Sequence, residues 1–343
     1  MKVMRLFCKK CLLLGLGLFL SFSMYAQFQE KKEVLVEFNQ VLDNREYFND
    51  FINPQTILGA STNVLFGAEV AQGHSLYGGF YYLYEYGHFI DGHKPQLNLF
   101  YQFNSDKYEF YFGAFPRKDL LNYPLALMTD TLMYYRPNVQ GGLGKIKWSF
   151  GEQNIWCDWT SRQSDTIKET FLAGFCGEIR ANIFYIENYA YMYHSAGTAI
   201  RDWNDPIRDN GGGALFLGAD LSEFGKFNSL RVDIGVLTAY DRFRPNPYGF
   251  AFGGMLRTEL MFEKLGFKAS YYKGNKINLV YGDNFYTSGN YGRLDLIWYP
   301  FKSKRVNAKI DLGLHFTEDG VDSSQQFYIT VNFAPYRKVG ERK

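Results

Sequence analysis

Cysteine is scarce in this chain of 343 residues: Cys8 and Cys11 fall among the first 26 residues, and only Cys157 and Cys176 lie beyond them. A disulfide-stapled framework is excluded, since at most one bridge is possible outside that first segment. No lipobox-like cysteine follows the N-terminal apolar run, which argues against a lipoprotein. Beyond residue 26 there is no apolar run of about 18 residues, so spanning helices are excluded. The mean hydropathy is slightly negative, at -0.27. A surplus of one charge is missing too. The chain has 37 basic and 35 acidic residues, and four of the basic ones lie in the first 26, leaving 33 against 35, or −2. A nucleic-acid partner, which needs a basic surface, is not expected. Neither a phosphate loop nor a dinucleotide fingerprint occurs, and no cofactor is expected.

What is present begins with an export signal. Lys2, Arg5, Lys9 and Lys10 precede the apolar run Leu12 to Leu20, and Ser21, Ser23 and Ala26 follow it. This is the layout of a secretory signal peptide over 1–26, with a mature chain at 27–343. Met24 is not the small residue preferred before a cut after Ala26, so cleavage after Ser23 stays open. The alternative is a retained anchor, for which the run is short.

Aromatic residues make up 19% of the chain, with 27 Tyr and 32 Phe. Much of the chain alternates with a period of two, as strands do when one face is apolar and the other polar. Leu230, Val232, Ile234 and Val236 oppose Arg231 and Asp233. Val306, Ala308, Ile310 and Leu312 oppose Asn307, Lys309 and Asp311. Val34, Val36 and Phe38 oppose Glu33 and Glu37. Similar segments recur to Phe333. Segments 183–193 and 213–221 are apolar but alternate poorly, and Pro137 with the glycines at 141, 142 and 144 weakens the start of the sixth. The total is about sixteen strands.

Connections alternate in length. Short ones, such as 71–74, 104–107, 151–153 and 180–182, separate long ones, such as 39–56, 116–133, 194–212 and 273–290. Lipid satisfies no backbone hydrogen bond, so strands can span it only in a closed barrel. The expected fold is all-β: a transmembrane antiparallel up-and-down β-barrel of about 16 strands, with short periplasmic turns and long extracellular loops. Tyr86, Trp148, Trp298 and Phe301 near strand ends fit an aromatic girdle. A soluble periplasmic β-protein, its apolar face buried in a sandwich, is the alternative. In its signal peptide, alternating strands and alternate long loops, the chain resembles the outer-membrane porin superfamily. The polar tail from Ala334 to Lys343 departs from the usual terminal aromatic residue.

Sixteen strands leave an aqueous channel unless loops fill it. Parity places Glu33, Glu37, Glu69, Glu85, Glu109, Lys145, Lys147, Arg231, Arg257, Lys268, Arg293 and Lys309 inside, as pore-lining residues. The acids gather on the first five strands, so a field across the pore is one expectation. Pairing of Arg231/Asp233, Arg257/Glu259 and Arg293/Asp295 with neighbours is the other. By resemblance to porins, the long loop after strand five, carrying Arg117, Lys118, Asp119 and Asp130 among leucines, is expected to fold inward as a constriction; packing on a neighbouring loop or on a second subunit is the alternative. Inward Tyr81, Tyr111, Trp156, Tyr299 and Tyr328 offer stacking surfaces.

Chemistry-bearing motifs are thin. Some barrels are lipases or lipid A hydrolases that use Ser and His on the outer wall. His194 and Ser195 are adjacent, so in a strand they face opposite ways, and no orienting carboxylate is evident from spacing. Catalysis is therefore not expected. His74, His88 and His93 lack a tight metal spacing. Asp202, Asp205 and Asp209 before Gly211 to Gly213 resemble a calcium loop only loosely, and no metal is expected. Cys157 shares the outward parity and Cys176 the inward one, which predicts two free thiols. The resulting expectation is an outer-membrane pore for small hydrophilic solutes, surrounded by outer-membrane lipid and open to homo-oligomerisation. A non-conducting barrel whose loops bind a protein, polysaccharide or lipid is the alternative.

Overall fold

A computed structural model describes residues 32–87, 94–200 and 206–333. The segment read as a signal peptide, His88, His93, Asp202, Asp205 and the tail after Phe333 lie outside the described residues.

Sixteen strands form one closed antiparallel barrel in chain order. They are β1 (Lys32–Glu46), β2 (Gln55–Ala71), β3 (His74–Glu85), β4 (Gln96–Asn104), β5 (Tyr108–Pro116), β6 (Asn138–Trp148), β7 (Gly151–Ser161) and β8 (Thr170–Ala181). The rest are β9 (Phe184–Ser195), β10 (Arg208–Asp220), β11 (Ser229–Phe243), β12 (Gly249–Phe262), β13 (Leu265–Gly274), β14 (Asn290–Lys302), β15 (Val306–Thr317) and β16 (Gly320–Asn332). β1 closes on β16 through a register running from Glu37 opposite Asn332 to Glu46 opposite Ser323. Among the described residues, no helix is long and apolar enough to cross a membrane.

The connections 72–73, 105–107, 149–150, 182–183, 263–264 and 303–305 are tight and lie at one end of the barrel. Gly73, Asn182 and Glu263 take positive φ there, as two-residue hairpin turns require. The longer connections 117–137, 196–207 and 275–289 lie at the other end, which in bacterial barrels is extracellular. The connection 318–319 at that end is itself tight. Outward side chains form an apolar belt; Leu97, Leu99, Phe112, Ile155, Ile234 and Phe250 are each more than 60% exposed. Such a belt is stable against lipid, not water.

β1 runs on to Glu46 and β2 starts at Gln55, so the strands extend well into the connection read as 39–56. Polar residues on both faces hid this stretch. They bond across strands: Asn44 Nδ2 donates to Gln325 Oε1 at 2.7 Å, and Thr56 Oγ1 to Asn44 Oδ1 at 2.8 Å. β9 and β10 alternate poorly because their inner face is apolar as well: Tyr185, Tyr191, Ala214 and Phe216 point inward and are buried.

The reason lies in the lumen. The connection 117–137 folds inside the barrel, with one helical turn, α1 (Leu132–Tyr135). Leu120, Leu121, Leu127, Met128 and Leu132 from it, with Ile277, Leu279, Phe285 and Tyr286 from 275–289, join wall residues from Leu35 to Tyr291 in one apolar cluster. Burying such side chains contributes roughly 1.5–3 kcal/mol each. The core of this molecule is therefore its filled lumen.

Candidate functional site

Every residue read as pore-lining stands at an inward parity, and most meet a partner. Glu109 pairs with Lys147 (2.9 Å), Lys145 with Glu152 (2.8 Å), Lys268 with Glu259 (2.8 Å), Arg293 with Asp295 (2.8 Å) and Lys309 with Asp311 (2.6 Å). Arg231 reaches Glu178 and Glu187, both at 2.9 Å; Arg257 reaches Asp233 and Glu187, both at 2.6 Å. Glu69 Oε1 accepts from the Gly73 N–H in its own turn, Glu85 from the Tyr135 hydroxyl, and Tyr77 donates to Glu33. Neighbouring residues, rather than the far wall, take up these charges.

The loop residues act as fasteners. Arg117, 1% exposed, pairs with the fully buried Asp158. Lys118 pairs with Glu37 at 2.6 Å, and Asp130 with Arg45 at 2.8 Å. Asp119 is exposed in a left-handed conformation, φ 65°. The inward aromatics hold the loop too: Trp156 Nε1 donates to the Tyr123 hydroxyl at 2.8 Å, Tyr81 to the Tyr134 carbonyl, and Tyr328 bonds the Tyr134 hydroxyl. Cavities remain on the short-turn side of the loops; their walls are mostly apolar, but one is also lined by Arg231, Arg257 and Lys268 and another by Glu37, Lys118 and Lys309.

Chemistry of another kind appears on the lipid-facing wall. Register aligns Trp159, Phe171, His194, Asp209 and Arg242 in one outward row across β7 to β11. The row lies one pair below the long-connection ends of β9 and β10, where Ser195 faces Arg208. His194 Nδ1 donates to Asp209 Oδ1 at 2.7 Å. Arg244, just beyond β11, donates from Nε to Asp209 Oδ2 at 2.9 Å and from Nη2 to Oδ1 at 3.3 Å. That carboxylate holds the Arg244 guanidinium above its ordinary range. Phe171 lies 5.4 Å from the His194 ring, and Met192, Tyr240, Tyr248 and Phe250 complete an open pocket of about 650 Å³. With Nδ1 of His194 bonded to Asp209, Nε2 is left as the imidazole's acceptor.

Ser195 is buried on the inner side, so the adjacent His194 and Ser195 form no dyad, as parity required. The carboxylate that spacing failed to reveal is Asp209. It lies fifteen residues away and reaches His194 only through the β9–β10 register. A second histidine, His315, bonds Ser324 through Nε2 at 3.0 Å, but both are sealed beneath Phe285. Cys157 is half-buried on the outer side, Cys176 is buried inside, and both are free, as expected. No group of metal-ligating residues occurs among the described residues.

A family model described as lipid A 3′-O-deacylase-type matches residues 26–342. The chain belongs to that family. This membership overturns the expectation that the chain is not an enzyme. That expectation rested on the lack of an orienting carboxylate near His194, and Asp209 meets His194 only through the β9–β10 register, which local spacing does not show. No curated protein sequence matches this family member. Its fold is shared with outer-membrane barrels of known structure. A loop-deletion mutant of OmpT from Vibrio cholerae aligns with a TM-score of 0.57 at 10% identity, over 89% of this chain and 100% of that one. An anion-selective porin from Comamonas acidovorans gives 0.56 at 9%, over 88% and 100%. Salmonella typhi OmpF, in complex with daunomycin, gives 0.53 at 12%, over 89% and 98%. At these identities the likeness establishes the fold alone, that of a closed antiparallel barrel.

Proposed function

We propose that this barrel is an outer-membrane hydrolase that removes an ester-linked acyl chain from a glycolipid of the lipid A class, at the His194–Asp209 site on its outer wall. The observation that carries this reading is the 2.7 Å bond from His194 Nδ1 to Asp209 Oδ1 on the lipid-facing side, near the extracellular rim. Acyl esters of outer-leaflet lipids lie at that depth. The family's name supports the same substrate class.

The residues lining the pocket include no serine, threonine or cysteine. The nucleophile in this reading is therefore water. His194 Nε2 takes its proton as the oxygen attacks the ester carbonyl carbon, and Asp209 stabilises the imidazolium. The carbonyl oxygen becomes an oxyanion beside the Arg244 guanidinium. On collapse, the carbon–oxygen bond to the sugar breaks and the imidazolium returns the proton to the leaving alkoxide. The products are a fatty acid and a sugar hydroxyl.

The test is release of fatty acid from lipid A by the refolded protein. His194→Asn and Asp209→Asn should each lower the rate by about a hundredfold or more. A His194→Asn protein as active as wild type would remove the site. The diffusion pore is the second reading. The lumen cavities with charged residues in their walls favour it, and the apolar cluster formed by 117–137 and 275–289 weighs against it.

A further inference from the structure

The wall site carries one more positive charge than its internal pairing uses. Asp209 faces Arg242 across the β10–β11 register and bonds Arg244. Among the described residues, one carboxylate thus stands against two guanidinium groups. Asp241, between them in sequence, points the other way and pairs with Arg208 at 2.9 Å. Arg242 is held firmly: its Nε donates to the Asn246 carbonyl at 2.9 Å, and its guanidinium lies 4.7 Å from the Tyr248 ring centroid. Among the described residues these contacts use Nε and the flat face, which leaves the two terminal nitrogens for a ligand. Arg244 is 47% exposed at the side chain while bound to Asp209.

Two arginines at the lipid-facing rim need an anionic partner at headgroup depth, because charge is costly deeper in the bilayer. A planar guanidinium matches a phosphate in bidentate fashion, which an ammonium does not. Tyr240, Tyr248 and Phe250 form the apolar and aromatic ground beneath them, continuous with the His194 pocket.

We propose that Arg242, beside the Arg244 that Asp209 already holds, anchors a subsite for a phosphate monoester on the sugar headgroup of the glycolipid whose ester enters the His194 pocket. This rests on the hydrolase reading above for the site it serves. The subsite selects phosphorylated glycolipids and sets the distance from phosphate to scissile ester.

The experiment measures binding, not turnover, in the refolded full barrel carrying His194→Asn. The probes are bisphosphorylated lipid A in detergent micelles, and the same lipid after phosphatase removal of both phosphates. Arg242→Gln should weaken binding of the phosphorylated lipid about tenfold and leave the dephosphorylated lipid unchanged. Arg242→Lys, checked like Gln for a wild-type β-sheet signal, should give an intermediate ratio. Inorganic phosphate should displace the phosphorylated lipid from the arginine protein and not from the Gln variant. Equal weakening of both lipids, or no weakening of either, would overturn the subsite. A binding difference in a protein whose His194 form hydrolyses nothing would sink the hydrolase reading and leave the subsite standing. Hydrolysis indifferent to phosphate would do the reverse.

Discussion

Arg45 on β1 and Asp130 in the inward loop meet at 2.8 Å, joining strand to plug inside the lumen. Arg45 also holds Asp43 at 2.6 Å, and Gln326 donates to both Asp43 and Asp130. The plug is thus tied to the seam where the first strand closes on the last.

Loosening that tie should open the barrel. Asp130→Asn removes one charge and keeps a group that Gln326 can reach. Its expected cost is about 1–3 kcal/mol. Proteolysis within 117–137 should rise, and planar-bilayer recordings should show openings more frequent than in the wild type. A variant with the conductance and protease resistance of the wild type would mean that the apolar contacts alone hold the loop.

Acid should act through the same residue. Burial pushes the Asp130 carboxyl up, but Arg45, Arg293 and the bond from Gln326 outweigh it and hold it below the ordinary range. A depressed carboxylate contributes stability that is complete above the unfolded value, about 3.9, and is lost as pH falls through the folded one. The plug should therefore remain closed at about pH 5 and loosen only below the ordinary carboxylate range. Protease sensitivity of the loop against pH measures this; loosening that begins near neutrality would contradict it.

The two thiols offer a test of facing. Cys157 points toward lipid and is half-buried, whereas Cys176 is 5% exposed on the lumen side. A maleimide that partitions into detergent should label Cys157 in the folded barrel and reach Cys176 only after unfolding. Equal labelling would contradict the assigned parity of β7 or β8.

Gly79 marks a close approach between β2 and β3. A Cβ built there would lie 1.8 Å from the Val64 carbonyl oxygen, a backbone atom that cannot swing away. Gly79→Ala should destabilise the barrel by about 1–3 kcal/mol. Thermal unfolding in detergent is the measurement, and an unchanged midpoint would argue against this register.

Most of the barrel was legible because lipid imposes a simple rule. One face must be apolar and the other free to be polar, so Leu230 to Val236 or Val306 to Leu312 declare their strands without help. The rule weakened where its premise failed. At β9 and β10 the inner face packs on a loop and is apolar too, and at the ends of β1 both faces carry polar groups.

The sequence by itself determined the strand number, the outward and inward faces, the order of short and long connections and the opposed directions of His194 and Ser195, because each follows from a period of two along a local stretch of chain. Tertiary structure decided the rest. Register brought Asp209 to His194, closure brought β1 to β16, and packing drew 117–137 and 275–289 into the lumen. These depend on which residue stands opposite which across strands, and no local period carries that information.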